Sequence, residues 1–463
     1  MIPVSCGEIA EAVHGELVGV DPAAVVDGAV VIDSRTAGPG GLFVALPGEN
    51  VDGHDYVGAA SQQGLTASLT TRPIEGSPCI VVDDTQAALG ALARLIVSRL
   101  PDLTVIGLTG SSGKTSTKDL IAQLIRPYGE TVSPEGSFNN EIGHPLTALQ
   151  ATPETKYLVA EMGARHRGDI TYLCGITPPK VGLVLNVGTS HIGEFGTQDN
   201  IAVAKGEMIE AVVPGGIAVL NADDHRVAAM RSRTPEQVLT FGEAPEADVR
   251  AAGVKLDAEG RPAFTLHIGD FSEHVQLQFV GEHYVSNALA AATVAKAVGL
   301  TPEQIANGLN AATRVSAARM EVTERADGVT IINDAFNANP ESTRAALKSL
   351  VAIGRARGAR TWAVLGEMRE LGDTSAEEHD AIGRLVVRLD VNRLLVVGEG
   401  AKPIHLGASL EGSWGNESAY VDTLAEAHEF LRGELRAGDV VLVKSSKLAK
   451  LRSLAEALLE DVQ

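Results

Sequence analysis

Apolar positions along the chain follow two patterns that take turns. Short uninterrupted runs, among them Leu103–Thr109, Tyr157–Ala160, Val181–Asn186 and Ile217–Leu220, alternate with segments whose apolar residues recur at helical spacing. Uninterrupted runs of this length predict strands covered on both faces, and their alternation with helices predicts a parallel sheet with crossovers over residues 102–313. A helix is expected near Thr115–Ile125, and helices near Tyr284–Val298 and Pro302–Asn310 close this unit. Residues 248–279 alternate polar with apolar and carry turn residues, which predicts a small antiparallel patch. Residues 314–463 repeat the first pattern, with strands expected at Val329–Asn333, Thr361–Leu365, Arg393–Val397 and Val440–Val443. Residues 1–101 mix short β-rich runs (Ala29–Asp33, Leu42–Leu46, Cys79–Val82) with Gly/Pro turns and end in a helix near Thr85–Arg99, before a Pro101-Asp102 linker. The expected fold class is α/β in three domains: a small mixed α/β N-terminal domain (1–101), a central P-loop parallel-sheet ATPase domain (102–313) and a C-terminal Rossmann-like domain (314–463).

Composition adjusts this picture in a few places. A length of 463 residues suits about three domains at roughly 100–200 residues each. Lys plus Arg number 38 against 59 Asp plus Glu, a net charge of −21, which argues against a nucleic-acid partner but leaves room for a local basic pocket. Cys6, Cys79 and Cys174 are widely spaced, so neither a disulfide framework nor a zinc site is suggested; buried thiols in a reducing compartment are expected. The first residues carry neither a basic region nor a long apolar one, and no run of 18 apolar residues occurs, so no membrane span and a cytoplasmic protein are expected.

The sharpest local signal is Thr109-Gly110-Ser111-Ser112-Gly113-Lys114-Thr115-Ser116-Thr117, lying between an expected buried strand and an expected helix. Glycines let backbone amides approach phosphate oxygens, and the helix N-terminus adds partial positive charge. Lys114 would reach the β/γ-phosphates and the Thr115 hydroxyl would ligate Mg²⁺. The loop is the short G-x-x-G-K-T form, with Leu108 where the longer form has its first glycine.

Other candidates sit where the chain leaves the same expected sheet. Glu161 follows Tyr157–Ala160, where a carboxylate suits a Mg²⁺ ion and equally suits a helix cap or an ion pair. His191 follows the next run, where an imidazole suits a second metal or a phosphate, or a purely structural place. By periodicity alone Lys205 reads as an exposed helix lysine. Asn287, near a helix start, suits either an adenine edge or a cap.

With these residues assembled, the chain resembles the Mur ligase family of ATP-dependent amide-forming enzymes over nearly its whole length. Five segments carry the resemblance in order: Asp33-Ser34-Arg35 with Pro39–Leu46 and Asp52-Gly53-His54, then Thr109–Thr117, Phe138–Gly143, Asp334–Pro340 and Leu365–Gly372. The Asn337-Ala338-Asn339-Pro340 segment and the N-terminal unit are most similar to the branch that joins D-alanyl-D-alanine to UDP-N-acetylmuramoyl-tripeptide through an acyl phosphate in peptidoglycan precursor synthesis. The resemblance implies ATP and Mg²⁺ as cofactors and a monomer. It implies that Gly110, Ser111, Ser112, Gly113, Lys114, Thr115 and Ser116 cradle the phosphates, and that Asn287, Arg319, Asp334 and Asn339 touch the nucleotide, Asn339 near the base. Thr115, Glu161 and His191 would hold metal. Lys114, Lys205 (as a carbamate), His191 and Arg319 would be catalytic, and Ser34, Arg35, Asn139 and Asn140 would meet the substrate. Two segments depart from the family pattern: Lys444-Ser445-Ser446-Lys447 stands for Lys-Gly-Ser-Arg, and Gly163–Gly168 is unusually basic. An amino-acid-adding ligase of the same superfamily, a folylpolyglutamate synthase and a P-loop nucleotide regulator remain the alternatives.

Overall fold

The computed structural model describes residues 1–48, 51–412 and 417–461. Three main sheets follow one another along the chain. The first has five strands in the spatial order Glu16–Val18, Cys79–Val81, Ala67–Thr70, Leu42–Val44 and Val30–Val31, parallel except for the first. Helices Cys6–Val13 and Thr85–Ser98 pack on it. The second helix begins where the Asp84 carboxylate accepts from the amides of Gln86 and Ala87, so a side chain satisfies the first orphan donors.

The second sheet has nine strands. Glu130–Val132, Thr155–Glu161, Thr104–Thr109, Val181–Val184, Ile217–Asn221, Gln237–Gly242 and Val249–Leu256 are parallel, in that spatial order. Val105 through Thr109 are all buried, which is why the run reads without alternation. Residues 248–279 do form antiparallel strands, but not a separate patch. Phe241 pairs with Val249 and Gly242 with Arg250, so Pro262–Ile268 and Phe271–Gln276 extend the parallel sheet at one edge.

The third sheet runs Glu321–Glu324, Thr330–Asn333, Val440–Lys444, Thr361–Leu365, Arg393–Val397 and Ser418–Val421. All its pairs are parallel except the Glu321–Glu324 edge strand, which the sequence pattern does not announce. One apolar core runs through the second and third sheets. Helix Pro340–Arg357 is part of the reason: Ile353 lies so close over Gly260 that an added Cβ there would meet its side chain at 2.7 Å. The strand ends that carry the expected chemistry therefore face one cleft between two sheets held together. Among the described residues no helix is long and apolar enough to cross a membrane, and the three cysteines are buried and free.

Candidate active site

A cavity of about 1610 Å³ lies where these strand ends meet. Its floor is the phosphate loop. Gly113 has φ +80°, and an added Cβ would sit 2.5 Å from Asn287 Oδ1, so only glycine lets the loop turn into helix Lys114–Ile125 at this point. Lys114 Nζ donates to Gly110 O at 2.8 Å. Burial lowers the pKa of Lys114, partly offset by the Glu161 carboxylate. The Thr115 hydroxyl donates to Glu161 Oε2 (2.8 Å) and accepts from Arg319 Nη2 (2.9 Å). Asn139 Nδ2 donates to the other Glu161 oxygen at 2.7 Å, so the loop around Phe138–Asn140 is tied to the strand that ends in Glu161.

Several site residues are held in backbone conformations that side chains rarely adopt. Ala318 (φ 53°) and Met320 (φ 48°) flank Arg319, and His191 (φ 62°) and Glu370 (φ 64°) face each other. Such positions cost roughly 1–3 kcal/mol each and persist where surrounding packing dictates them. Here they aim Arg319 across the cleft, with its guanidinium 4.2 Å above the Phe336 ring and its Nε buried without an acceptor. His191 Nδ1 lies 2.7 Å from Glu370 Oε2. That imidazole, with Arg165 at 3.3 Å, holds the Glu370 carboxyl below its usual range.

Among the described residues no three His, Cys, Asp or Glu side chains gather to hold a metal unaided. The cavity offers a hard cation the Thr115 hydroxyl beside the Glu161 carboxylate. This donor set fits Mg²⁺, which commonly takes one or two protein oxygens and completes its shell with phosphate and water.

The cavity wall gathers Ser111, Ser112, Gly113, Lys114, Thr115, Ser116, Asn139, Asn140, Glu161, His191, Asn287, Arg319, Asp334 and Asn339. Gly110 contributes its carbonyl from beneath. Asn287 caps nothing with its side chain; its Nδ2 is buried and unpartnered, a donor left for a ligand. Asn339 caps helix Pro340–Arg357 and sends Nδ2 toward Ser111 O (3.4 Å), which puts it at the phosphate loop. Asp334 is engaged internally, with Lys444 Nζ at 2.5 Å and the Met320 amide at 3.0 Å.

Lys205 overturns its periodicity reading. It is 3% exposed and is not among the residues lining the cavity. Among the described residues it has no hydrogen-bond or ion-pair partner, and burial, with Lys114 nearby, drives its pKa well below the ordinary ammonium value. Ser34 and Arg35 lie outside the cavity wall, on a turn of the first sheet where Arg35 pairs with Asp33 at 2.6 Å.

Sequence reasoning assigned no role to Asn186, Glu341, Glu370 or Lys444, all of which line the cavity. Asn186 and Lys444 follow or end buried strands, the signal that found Glu161. The Thr189 amide and hydroxyl both donate to Glu341 Oε1 (2.7 and 2.8 Å), which ties the His191 loop to the third sheet's first helix. The basic Gly163–Gly168 segment also finds partners: Arg165 with Glu370, His166 with Glu194, Arg167 with Asn200. In the departing tetrapeptide Lys444 is buried against Asp334, and Lys447 is exposed at the cavity rim.

Family comparison agrees with this arrangement. Three family models match in order: the Mur ligase family, catalytic domain over 28–96, the Mur ligase middle domain over 108–295, and the Mur ligase, glutamate ligase domain over 318–447. A UDP-N-acetylmuramoyl-tripeptide–D-alanyl-D-alanine ligase of Mycobacterium tuberculosis is 48% identical, covering 100% of this chain and 98% of that protein. The enzyme of that name from Escherichia coli is 34% identical over 100% and 99%. Among solved structures, MurF from Acinetobacter baumannii superposes with a TM-score of 0.90 at 33% identity, covering 99% of each chain. MurF ligase from Thermotoga maritima in complex with ADP gives 0.82 at 29% identity, covering 94% of this chain and 98% of that one.

Proposed function

The chain belongs to the Mur ligase family, and we propose that it is the ATP-dependent ligase that joins D-alanyl-D-alanine to UDP-N-acetylmuramoyl-tripeptide in the cytoplasmic stage of peptidoglycan precursor synthesis. The observation that carries this reading is full-length identity to enzymes of that name, on a chain whose phosphate loop, Glu161 and Arg319 converge on one cavity.

A carboxylate does not acylate an amine at neutral pH, because its oxygen is a poor leaving group. In the proposed sequence the tripeptide carboxylate takes the γ-phosphoryl group of ATP, giving an acyl phosphate and ADP. The dipeptide amine then attacks the acyl carbon and phosphate leaves. The first step brings two anions together, so its barrier is electrostatic. Arg319, reaching in from the third sheet, and Lys114, once its side chain turns from Gly110 O toward the nucleotide, supply positive charge at the phosphates. Thr115 and Glu161 would hold Mg²⁺, which would add charge neutralisation at the phosphate oxygens. Asn287 offers its orphaned donor to the nucleotide, and the cleft between the second and third sheets shields the activated acyl group from water.

The Lys205 amine is buried and unpaired among the described residues, and burial lowers its pKa well below the ordinary ammonium value, which favours the uncharged form that adds carbon dioxide. Its carbamate would be an anion, replacing repulsion from Lys114 with attraction. Lys447 at the rim takes the dipeptide carboxylate, and Ser34, Arg35, Asn139 and Asn140 serve the UDP-linked substrate. Domains run 1–101, 102–313 and 314–463, and the protein acts as a monomer.

Phosphate release from ATP with Mg²⁺ tests the reading. Release that requires both UDP-N-acetylmuramoyl-tripeptide and D-alanyl-D-alanine supports it. Release that ignores the dipeptide, or that occurs only with a single amino acid, overturns it.

A further inference from the structure

Asn186 occupies an unexpected place. It follows strand Val181–Val184, and its Oδ1 accepts from the amides of both Ser111 and Ser112 at 3.0 Å, while its Nδ2 donates to Ser112 O at 3.1 Å. These two amides belong to the glycine-rich turn whose N–H groups a phosphate oxygen would draw on. Lys114 is folded back in the same sense, giving its ammonium to Gly110 O rather than into the cavity. The backbone around Asn186 is fixed independently: Ser111 N also reaches Asn186 O (3.2 Å), Gly188 N donates to Ser111 Oγ (2.9 Å), and Asp224 accepts from Val187 N (2.8 Å). The carboxamide can therefore swing out by side-chain rotation while its backbone stays in place.

We propose that Asn186 is a stand-in for phosphate: its carboxamide holds the Ser111 and Ser112 amides, and the terminal phosphates of a nucleoside triphosphate must displace it to bind. Asn186 is thus a positioning residue. It keeps the amides of buried Ser111 and half-buried Ser112 satisfied and the loop in its binding shape, and it sets how strongly the loop prefers a triphosphate over a nucleotide lacking the β- and γ-phosphates. The inference rests on the nucleotide-binding part of the function proposed above and goes beyond it.

The test is calorimetric titration of the full chain with Mg²⁺ and either the β,γ-imido analogue of ATP or AMP. Asn186→Ala removes the competitor, so the analogue should bind up to about tenfold tighter, the worth of roughly one net hydrogen bond. Asn186→Asp keeps the shape but places an anion on the amides, so the analogue should bind at least about tenfold weaker. AMP, which does not reach those amides, should bind all three proteins alike. A merely structural role would shift both variants in the same direction and with both nucleotides. That result, or equal affinity of all three proteins for the analogue, overturns the proposal. If Asn186→Ala does not fold, the isosteric Asn186→Asp decides alone: unchanged or tighter analogue binding overturns the proposal. If the parent binds neither nucleotide, the nucleotide reading falls as well, whereas normal analogue binding by the parent with insensitive variants removes only this inference.

Discussion

Replacing Lys444 with methionine tests how the third sheet builds its side of the cavity. Lys444 ends strand Val440–Lys444 with 2% of its side chain exposed, 2.5 Å from Asp334 Oδ2 and 3.1 Å from Asn337 O. Asp334 is itself only 15% exposed, and its other oxygen takes the Met320 amide. At this separation and an effective dielectric of about 20 the gross attraction is about 7 kcal/mol. Most of it offsets the cost of taking both charges out of water. Lys444→Met removes the attraction and leaves the Asp334 carboxylate buried, so the loss should be about 3–5 kcal/mol, and Asp334→Asn should cost a similar amount by stranding the ammonium. The double replacement strands neither charge and should cost about 1–2 kcal/mol, far less than the sum. Amide hydrogen exchange reads this locally, in strands Thr330–Asn333 and Val440–Lys444 and at the Asp334 amide, which bonds Val443 O. Single variants that cost under about 1 kcal/mol, or a double variant whose cost equals the sum, would refute the reasoning.

Other consequences follow from the same geometry. Arg319→Lys keeps the charge but loses the planar guanidinium that reaches Thr115 through Nη2 and stacks on Phe336, so kcat should fall about 10–100-fold with a smaller change in the KM for ATP; a loss under threefold would count against the role given to it. Lys447→Arg restores a two-pronged contact for a carboxylate and should lower the KM for D-alanyl-D-alanine about threefold or more; an unchanged KM would move the dipeptide carboxylate elsewhere. His144 is buried against Thr177, and burial pulls its pKa down to about 4. The folded pKa is below the unfolded one, so this contribution is present above about pH 6.5 and is lost as pH falls toward 4. About 2 kcal/mol should be gone by pH 5. Urea unfolding at pH 7 and pH 5 should show a smaller acid loss in His144→Gln; an equal loss would assign the acid sensitivity to other groups.

What could be read in advance divides along physical lines. Central strands are covered on both faces, so Thr104–Thr109 and Val181–Val184 announce themselves as apolar runs. The phosphate loop is legible because its function is local: glycines, a lysine and a hydroxyl within a few residues. Lys205 was not legible as buried, because helix Gln198–Glu210 buries Ala204 through Ile209 continuously and periodicity offers no face to assign. Glu341 and Glu370 were not legible because their partners, Thr189 and His191, lie on a loop of the second sheet and meet them only when the second and third sheets dock. The Glu321–Glu324 strand is short and polar, as an edge strand can be, since one side of its ladder faces solvent.

The central claim is that ATP activates the tripeptide carboxylate directly. With ¹⁸O in that carboxylate, ATP, Mg²⁺ and D-alanyl-D-alanine, the account predicts one ¹⁸O in each phosphate released, together with product heavier by one dipeptide. Product formed with no ¹⁸O in the phosphate would contradict it.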